Sequence, residues 1–381
     1  MNYTSFMIRK TRVEKNWSQE GLCRNICTAS YLSKIEQGKA EPSDEIVGLL
    51  FERLGIRWNT QSLTGEEIRR AYDLLFSEED ELLVQELDTE EFRGYENSPW
   101  GLDALLLRNT VGNGGEVDPE LEVLMDPKQL SLQRLLQERG DEAVRLYPCG
   151  YTYYAAGFAY YCRGDYARAI DFMNRANTLA CDEGSVRIML NARMTVGSCY
   201  SNLSDFDSMN RHYAAARRLA RSLGDTESMQ NMDYNIAATC LEAGRYAEAL
   251  TYFQTQRDSE SILVLHKLAI CYEKLDRRAD ALEVLERALA LKDESAGQMM
   301  HEMCRTVYLR LTQIRYLDSQ IYGDSLLGTF ALCRSHAPVG YCLFHMPWML
   351  EWYEHHRQYK QVAALLLEFP NYGKNRALNR E

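Results

Sequence analysis

The stretch from Tyr153 to Ala176 reads YYAAGFAYYCRGDYARAIDFMNRA and sets the pattern for most of the chain. Its small residue Gly157 allows two helices to approach closely, and Gly164-Asp165-Tyr166 forms a turn that reverses the chain. A second helix then places Ala169 at the close contact. Three comparable blocks follow, beginning at Val196, Ile236 and Leu268. The pattern predicts a series of helical hairpins.

The spacing of these blocks adds detail to the prediction. The steps from Gly157 to Gly197 and from Gly197 to Ala237 are each 40 residues, whereas the step from Ala237 to Ala269 is 32. The longer steps predict extended second helices or loops. A further, degenerate unit is expected at 350–369. One hairpin cannot bury its apolar face alone, so the units should stack into a superhelix with a concave groove. The pattern resembles the tetratricopeptide repeat, and no β-strand pattern interrupts it.

Composition and charge exclude several classes of protein. The chain has 381 residues and a net charge of −12, but residues 1–42 carry +3 and the other 339 carry −15. No run approaches the 18 apolar residues of a membrane span, and the N-terminus lacks the apolar stretch of a signal peptide. We therefore expect a cytoplasmic protein with no membrane partner, whose eleven cysteines are reduced. The motifs of hydrolases, phosphate-binding loops and metalloproteases are absent, so we expect no enzyme, no cofactor and no metal.

The basic head, residues 1–58, is predicted to contain five short helices. Ile8, Val13 and Leu22 supply apolar positions for the first two. Ser18 is in place to cap the second helix and Thr28 the third, and the last helix should run from 44 to 54.

The third helix, expected at 29–36, has two chemically different faces. Leu32 and Ile35 can face the core of the head. Ala29, Ser30 and Lys34 fall on the other side, where short and hydroxyl side chains allow a helix to lie deep in the DNA major groove.

In order and spacing, SQEGL at 18–22, LSKIEQGK at 32–39 and Pro42-Ser43 resemble the helix-turn-helix of the XRE family. The short turn at 25–28 is similar to the heads of Gram-positive peptide-pheromone receptors of the PlcR and Rgg kind, the RRNPP family. The resemblance implies that Arg12 and Glu36 form a structural pair. It implies contacts with DNA at a further set of residues: Gln19, Thr28, Ala29, Ser30, Lys34 and Lys39. The alternative is a helical head that binds protein.

The repeats offer candidate residues for a groove. Counting along the first helix of each unit places Tyr154, Tyr234 and His266 at equivalent groove-facing positions. Asn191 and Asn231 recur at a second position, 40 residues apart. Side-chain amides can both donate to and accept from the backbone of an extended peptide. The alternative is that these asparagines are solvated polar residues.

Together these patterns predict an all-α chain with a small helix-turn-helix domain at 1–58, a linker at 59–65 and a tetratricopeptide-like superhelix at 66–381. The resemblance implies a homodimeric transcription regulator that binds a double-stranded DNA operator and senses a short signalling peptide. Two alternatives remain open: repeats that bind a protein partner, and a repeat scaffold or inhibitor of a signalling enzyme with a vestigial head.

Overall fold

The computed structural model describes residues 2–59, 64–255, 261–291, 297–369 and 372, and within them it contains helices and no strand. The helices of the first part are α1 Tyr3–Glu14, α2 Gln19–Cys23, α3 Ala29–Glu36, α4 Asp44–Leu54, α5 Glu66–Ser77, α6 Asp80–Leu87, α7 Glu90–Arg93, α8 Gly101–Thr110, α9 Pro127–Leu136 and α10 Gly140–Leu146. The remaining helices are α11 Gly150–Cys162, α12 Tyr166–Glu183, α13 Val186–Asn202, α14 Phe206–Leu223, α15 Thr226–Glu242, α16 Tyr246–Thr255, α17 Ile262–Lys274, α18 Arg278–Ala290, α19 Gly297–Thr312, α20 Gln320–His336, α21 Val339–His355 and α22 Tyr359–Glu368. The all-α prediction is confirmed.

The chain divides into two compact units, one made of Met1–Ala156 with Arg175–Ile188 and the other of Gly157–Asn174 with Met189–Glu381. In the first unit the head contains four helices, α1 to α4, where five were expected. Ile8 and Leu22 are fully buried, as predicted, but Val13 is 55% exposed, so its assignment to the core was wrong. Val13 lies in the last turn of α1 and is not part of the apolar cluster of the head.

The rest of the first unit packs directly against the head. Phe6 of α1 belongs to an apolar cluster with Leu102, Leu106 and Leu121. The ammonium of Lys10 forms an ion pair of 2.8 Å with the carboxylate of Asp118. Residues 60–63 of the predicted linker lie outside the described residues. The head therefore shares a packed interface with the helices that follow it.

The second unit is a succession of helical hairpins. The predicted turns join α13 to α14, α15 to α16 and α17 to α18, and a further turn joins α21 to α22 at residues 356–358. All four hairpins agree with the repeat pattern. The pair of α19 and α20 is a further hairpin that the sequence pattern did not indicate.

The 40-residue step has a structural cause. Both α12 and α14, the second helices of their hairpins, are 18 residues long. At the contact between α13 and α14, a Cβ atom on Gly197 would collide with the ring of Tyr213. Glycine at this position therefore lets a long helix pair pack around a buried tyrosine.

Candidate functional sites

The third helix of the head is positioned by its cap and by two core residues. The hydroxyl of Thr28 accepts a hydrogen bond of 3.1 Å from the backbone N–H of Tyr31, which satisfies one of the free donors at the start of α3. Leu32 and Ile35 are both fully buried, as predicted. The opposite face of α3 is consequently held towards solvent.

The candidate DNA-binding residues occupy that solvent side to different degrees. Thr28, Ser30, Lys34 and Lys39 are exposed, whereas Gln19 and Ala29 are half-buried. The ammonium of Lys39 donates a 2.8 Å hydrogen bond to the side chain of Gln37. Ser30 and Lys34 are four residues apart, so they lie one above the other on the exposed face.

Below this face lies the predicted pair of Arg12 and Glu36. Arg12 donates from Nε and Nη2 to the two carboxylate oxygens of Glu36, at 2.6 and 2.9 Å. Only 4% of the Glu36 side chain and 14% of the Arg12 side chain are exposed. These hydrogen bonds raise the pKa of Arg12 further above its usual value. The pair therefore joins α1 to the end of α3, which confirms the predicted contact.

Gln19 is tied into the same network. Its amide donates a 2.7 Å hydrogen bond to Oε2 of Glu36. This bond fixes the side chain at the first turn of α2, and it leaves the second N–H of the amide and the first backbone N–H groups of α2 as the donors available to a phosphate.

Arg53 of α4 is a supporting residue that the sequence did not reveal. Its guanidinium donates to the backbone carbonyls of Leu22, at 2.9 Å, and of Arg24. These carbonyls come just before Asn25, whose φ of 62° reverses the chain between α2 and α3. A single arginine at the end of a helix gives no local signal of such a contact, which spans about thirty residues of sequence.

The second unit contains a cavity of about 640 Å³ between its repeats. Three helices supply most of its walls, α13, α15 and α21, and α17 contributes Lys267. The lining residues are Tyr161, Ser198, Ser201, Asn202, Tyr213, Tyr234, Asn235, Ala238, Thr239, Glu242, Lys267, Pro338, Gly340, Tyr341 and Phe344. The wall thus combines phenol, hydroxyl and amide groups with one carboxylate and one ammonium.

A second cavity, of about 1010 Å³, adjoins the first. The two share Asn202, Glu242, Gly340 and Phe344 in their walls. Because these four residues belong to both, the cavities form neighbouring sections of one groove.

Hydrogen bonds between helices stabilise the polar wall of the first cavity. The hydroxyls of Ser198 and Tyr213 are 3.1 Å apart, and those of Ser201 and Thr239 are 2.5 Å apart. These contacts join α13 to α14 and α13 to α15. The two hydrogen bonds therefore hold the helices of the wall together.

The structure distributes the predicted peptide-binding residues unevenly. Tyr234 lines the first cavity. Asn191 is half-buried and Asn231 is exposed, and neither lines either cavity. Tyr154 is half-buried and belongs to the first unit.

His266 is only 1% exposed and lies behind the cavity wall, where its ring is 6.0 Å from that of Phe344. Burial holds the pKa of His266 well below its usual range, so the ring is neutral. Its neighbour Lys267 lines the cavity instead.

The sequence analysis missed the two amides that do line the groove, Asn202 and Asn235. Asn235 lies four residues, or about one turn, beyond Asn231 on α15. Asn202 is the last residue of α13, eleven residues beyond Asn191 and about 16 Å along the helix. The repeat register therefore identified the right helices but the wrong turns for the cavity walls.

Other chemical features of the described residues are limited. No group of three or more His, Cys, Asp or Glu residues among them could hold a metal ion. All eleven cysteines are free. Among the helices of the described ranges, none has the length and apolar character that crossing a membrane requires.

Comparison with known proteins agrees with this architecture. Residues 8–59 match the helix-turn-helix family, and residues 240–304 match the tetratricopeptide repeat family. The transcriptional activator NprA of Geobacillus stearothermophilus is 22% identical over an alignment of 397 positions, which covers 89% of this chain and 90% of that protein. The chain thus combines a helix-turn-helix head with tetratricopeptide-type repeats.

Solved structures with a similar fold include a Rap protein complexed with Competence and Sporulation Factor. Its TM-score is 0.55 at 14% identity, over 82% of this chain and 98% of that chain. The apo form of the quorum sensor NprR from B. thuringiensis superposes more loosely, with a TM-score of 0.49 at 14% identity over 95% of this chain and 97% of that chain.

Proposed function

We propose that this chain, a helix-turn-helix protein with tetratricopeptide repeats and a relative of the activator NprA, is a transcription regulator whose repeats sense a short intracellular signalling peptide. The observation that carries the proposal is the presence of both parts in one chain. A head with an exposed face on its third helix is joined to repeats that line a polar groove. NprA is named a transcriptional activator, and the Rap protein was solved in complex with Competence and Sporulation Factor.

The DNA contact is proposed to involve the exposed end of α3 and its neighbours. Thr28, Ala29 and Ser30 would meet base edges at the start of the helix, and Lys34 would reach a base or a phosphate one turn later. Gln19 and Lys39 would hold the DNA backbone on either side. Such backbone contacts fix the position of the helix, whereas base contacts select the sequence.

The peptide contact is proposed to lie in the groove of the second unit. Tyr234, Asn202 and Asn235 would supply an aromatic surface and amide hydrogen bonds to an extended chain. Asn191 and Asn231 would take part where the peptide continues towards the first turns of α13 and α15. Tyr154 and His266 remain proposed residues too, with His266 supporting Phe344 from behind.

The regulator is proposed to act as a cytoplasmic homodimer. One head of this size offers few contacts with DNA, so affinity and specificity require two heads on half-sites about 34–36 Å apart. The net charge of −12 disfavours binding through a single small basic head still further.

The test begins with operator selection. Purified full-length protein is incubated with fragments of the source genome, and the retained DNA is sequenced. The account predicts a two-fold symmetric site, and light scattering of the complex should show two chains on one site. Retention of DNA without a common sequence, or full affinity of one chain for one half-site, would contradict it.

The outcome also separates the alternatives. A scaffold or inhibitor with a vestigial head would retain no specific site. A regulator whose repeats bind a protein partner would retain a site, but its DNA binding would not respond to any peptide.

A further inference from the structure

Lys267 of α17 is an unusual residue in the groove. Only 6% of it is exposed, yet it lines the first cavity. Its ammonium lies 3.2 Å from the centre of the Phe344 ring, and no hydrogen-bond acceptor for it is found in the part of the chain that the structure describes. An ammonium has three donors, and a buried donor without an acceptor is costly. A cation over an aromatic ring offsets only part of this cost.

The nearest opposite charge is held apart from it. Glu242 of α15 lines the same cavity and is exposed within it. The two groups influence each other electrostatically, but they make no ion pair within 4.0 Å among the described residues. A lysine that served only to stabilise the fold would be expected to pair with such a carboxylate. The groove instead presents one cation and one anion separately to whatever enters.

We infer that Lys267 is the anchor for an anionic group of the peptide, either its C-terminal carboxylate or an acidic side chain, and that Glu242 selects a basic or neutral group beside it. This inference rests on the proposed peptide-sensing function. A carboxylate would accept the hydrogen bonds that Lys267 lacks, and charge-assisted bonds of this kind are the strong ones. Glu242 would repel a second carboxylate, which favours ligands with one anion at this position.

The position of Phe344 gives the anion a defined place. Phe344 lies in the first half of α21, and Pro338, Gly340 and Tyr341 of the same segment line the same cavity. The anion would therefore bind between α17 and α21. The ammonium of Lys267 would contact the anion and the ring of Phe344 at the same time.

The experiment uses a defined probe, a mixture of randomised hexapeptides with free C-termini. The full-length protein is incubated with the mixture, retained peptides are identified by mass spectrometry, and the best one is measured by calorimetry. Two analogues follow, one with a C-terminal amide and one with its acidic side chains changed to the amides. We expect one analogue to lose about tenfold or more in affinity, which identifies the source of the anion.

The same peptide is measured on three variants. Lys267→Met should lose about tenfold or more in affinity, Lys267→Arg should retain much of it, and Glu242→Gln should relax the discrimination against a second acidic residue. Lys360→Met, an exposed position on α22, is the matched control and should bind as the parent does.

Thermal unfolding distinguishes a ligand anchor from a structural lysine. Methionine has a similar length and no unsatisfied donor, so Lys267→Met should melt at the parent's temperature or above it. A variant that melts well below the parent would assign Lys267 to the fold and overturn the inference. Equal peptide affinity of parent and Lys267→Met would overturn it while leaving peptide sensing intact. If the parent retains no peptide at all, peptide sensing fails and the inference fails with it.

Discussion

Lys34 and Glu36 stand two positions apart on α3, in opposite surroundings. Lys34 is exposed on the solvent side, whereas Glu36 is buried and accepts from Arg12 and Gln19. The first can meet DNA without affecting the fold, and the second can support the fold without touching DNA. Substitutions at the two positions should therefore affect different measurements.

Lys34→Ala should weaken operator binding without changing the stability of the protein. If Lys34 meets a base, the loss should be about 1–3 kcal/mol with relaxed specificity at that position. If it meets a phosphate, the affinity should fall by a similar factor for all DNA sequences. The slope of log affinity against log salt concentration should then decrease in magnitude by about one. Fluorescence anisotropy with the selected operator at several salt concentrations measures both, with Lys360→Ala as control. Unchanged affinity would remove Lys34 from the interface.

Glu36→Ala should destabilise the head because it leaves the guanidinium of Arg12 without its carboxylate. Breaking a buried ion pair from one side costs about 3–5 kcal/mol. Hydrogen exchange of the full-length protein should show faster exchange in α1 and α3, and the exposed Glu20→Ala is the control. Parent-like exchange combined with lost DNA binding would instead assign Glu36 a direct contact.

The affinity for an anionic peptide should depend on pH through Lys267. Burial lowers the pKa of this ammonium to about 8, and a bound carboxylate would raise it. Affinity should therefore be constant between about pH 6 and pH 7, where the peptide carboxylate is ionised and Lys267 is protonated. Between pH 8 and the higher pKa of the complex, it should fall by up to tenfold per unit.

The ionisable groups near Lys267 bear on whether the pH dependence can be assigned to it. They are Glu242 on α15, His266 and Cys271 on α17, Cys333 on α20 and His345 on α21. Burial raises the pKa of both thiols to about 12 and lowers that of His345 to about 4, so none of these three ionises between pH 7 and 9. Calorimetry should show a peptide affinity that falls with pH above pH 8 for the parent. The affinity of Lys267→Met should not change over the same range. Parallel profiles would assign the titration to another group.

At the scale of helices, the hairpin turns were readable from the sequence because each needs a small residue and a reversal at fixed spacing. The pair of α19 and α20 escaped detection because it lacks the repeated turn motif. The small residue of α20, Gly323, makes its close contact with α21 instead, where a Cβ atom would collide with the ring of Trp352. The connection contains a short 3₁₀ turn, Tyr316–Asp318, in place of the repeated turn motif.

The residues that line the cavities could be predicted only in part from the sequence. Tyr234 was predicted from the repeat register, but Asn202, Asn235 and Lys267 depend on where α21 packs. That helix lies more than 70 residues beyond Lys267 in sequence. A contact over such a distance leaves no periodic signal in either helix.

Gly197→Ala should destabilise the pair of α13 and α14, because the added methyl group would collide with the ring of Tyr213. Overpacking of this kind costs about 1–3 kcal/mol. Gly328→Ala is the matched control, since no atom lies within 4 Å of the added Cβ on α20. Gly328→Ala should raise the free energy of unfolding by up to about 1 kcal/mol, because alanine has a higher helix propensity than glycine. Denaturant unfolding measures the free energy of unfolding of both variants. Equal changes for Gly197→Ala and Gly328→Ala would contradict the close contact at Gly197.

At the scale of the whole molecule, the account requires that the groove and the DNA-binding head influence each other. A ligand changes DNA affinity only if it binds two states of the protein differently, and typical coupling between two sites is about 1–3 kcal/mol. The direct contact between the head and the helices at 101–125 gives the head a fixed base within its own unit. The head is therefore packed against other helices of its own unit.

The most direct measurement is a titration of the labelled operator with full-length protein, with and without a saturating concentration of the peptide selected by the groove. The account predicts that the peptide changes the apparent affinity about 5- to 150-fold in either direction for the parent. Lys267→Met should bind the operator as the parent does without peptide, and its response should need about tenfold or more peptide than the parent's. An operator affinity that the bound peptide leaves unchanged in the parent would contradict the account.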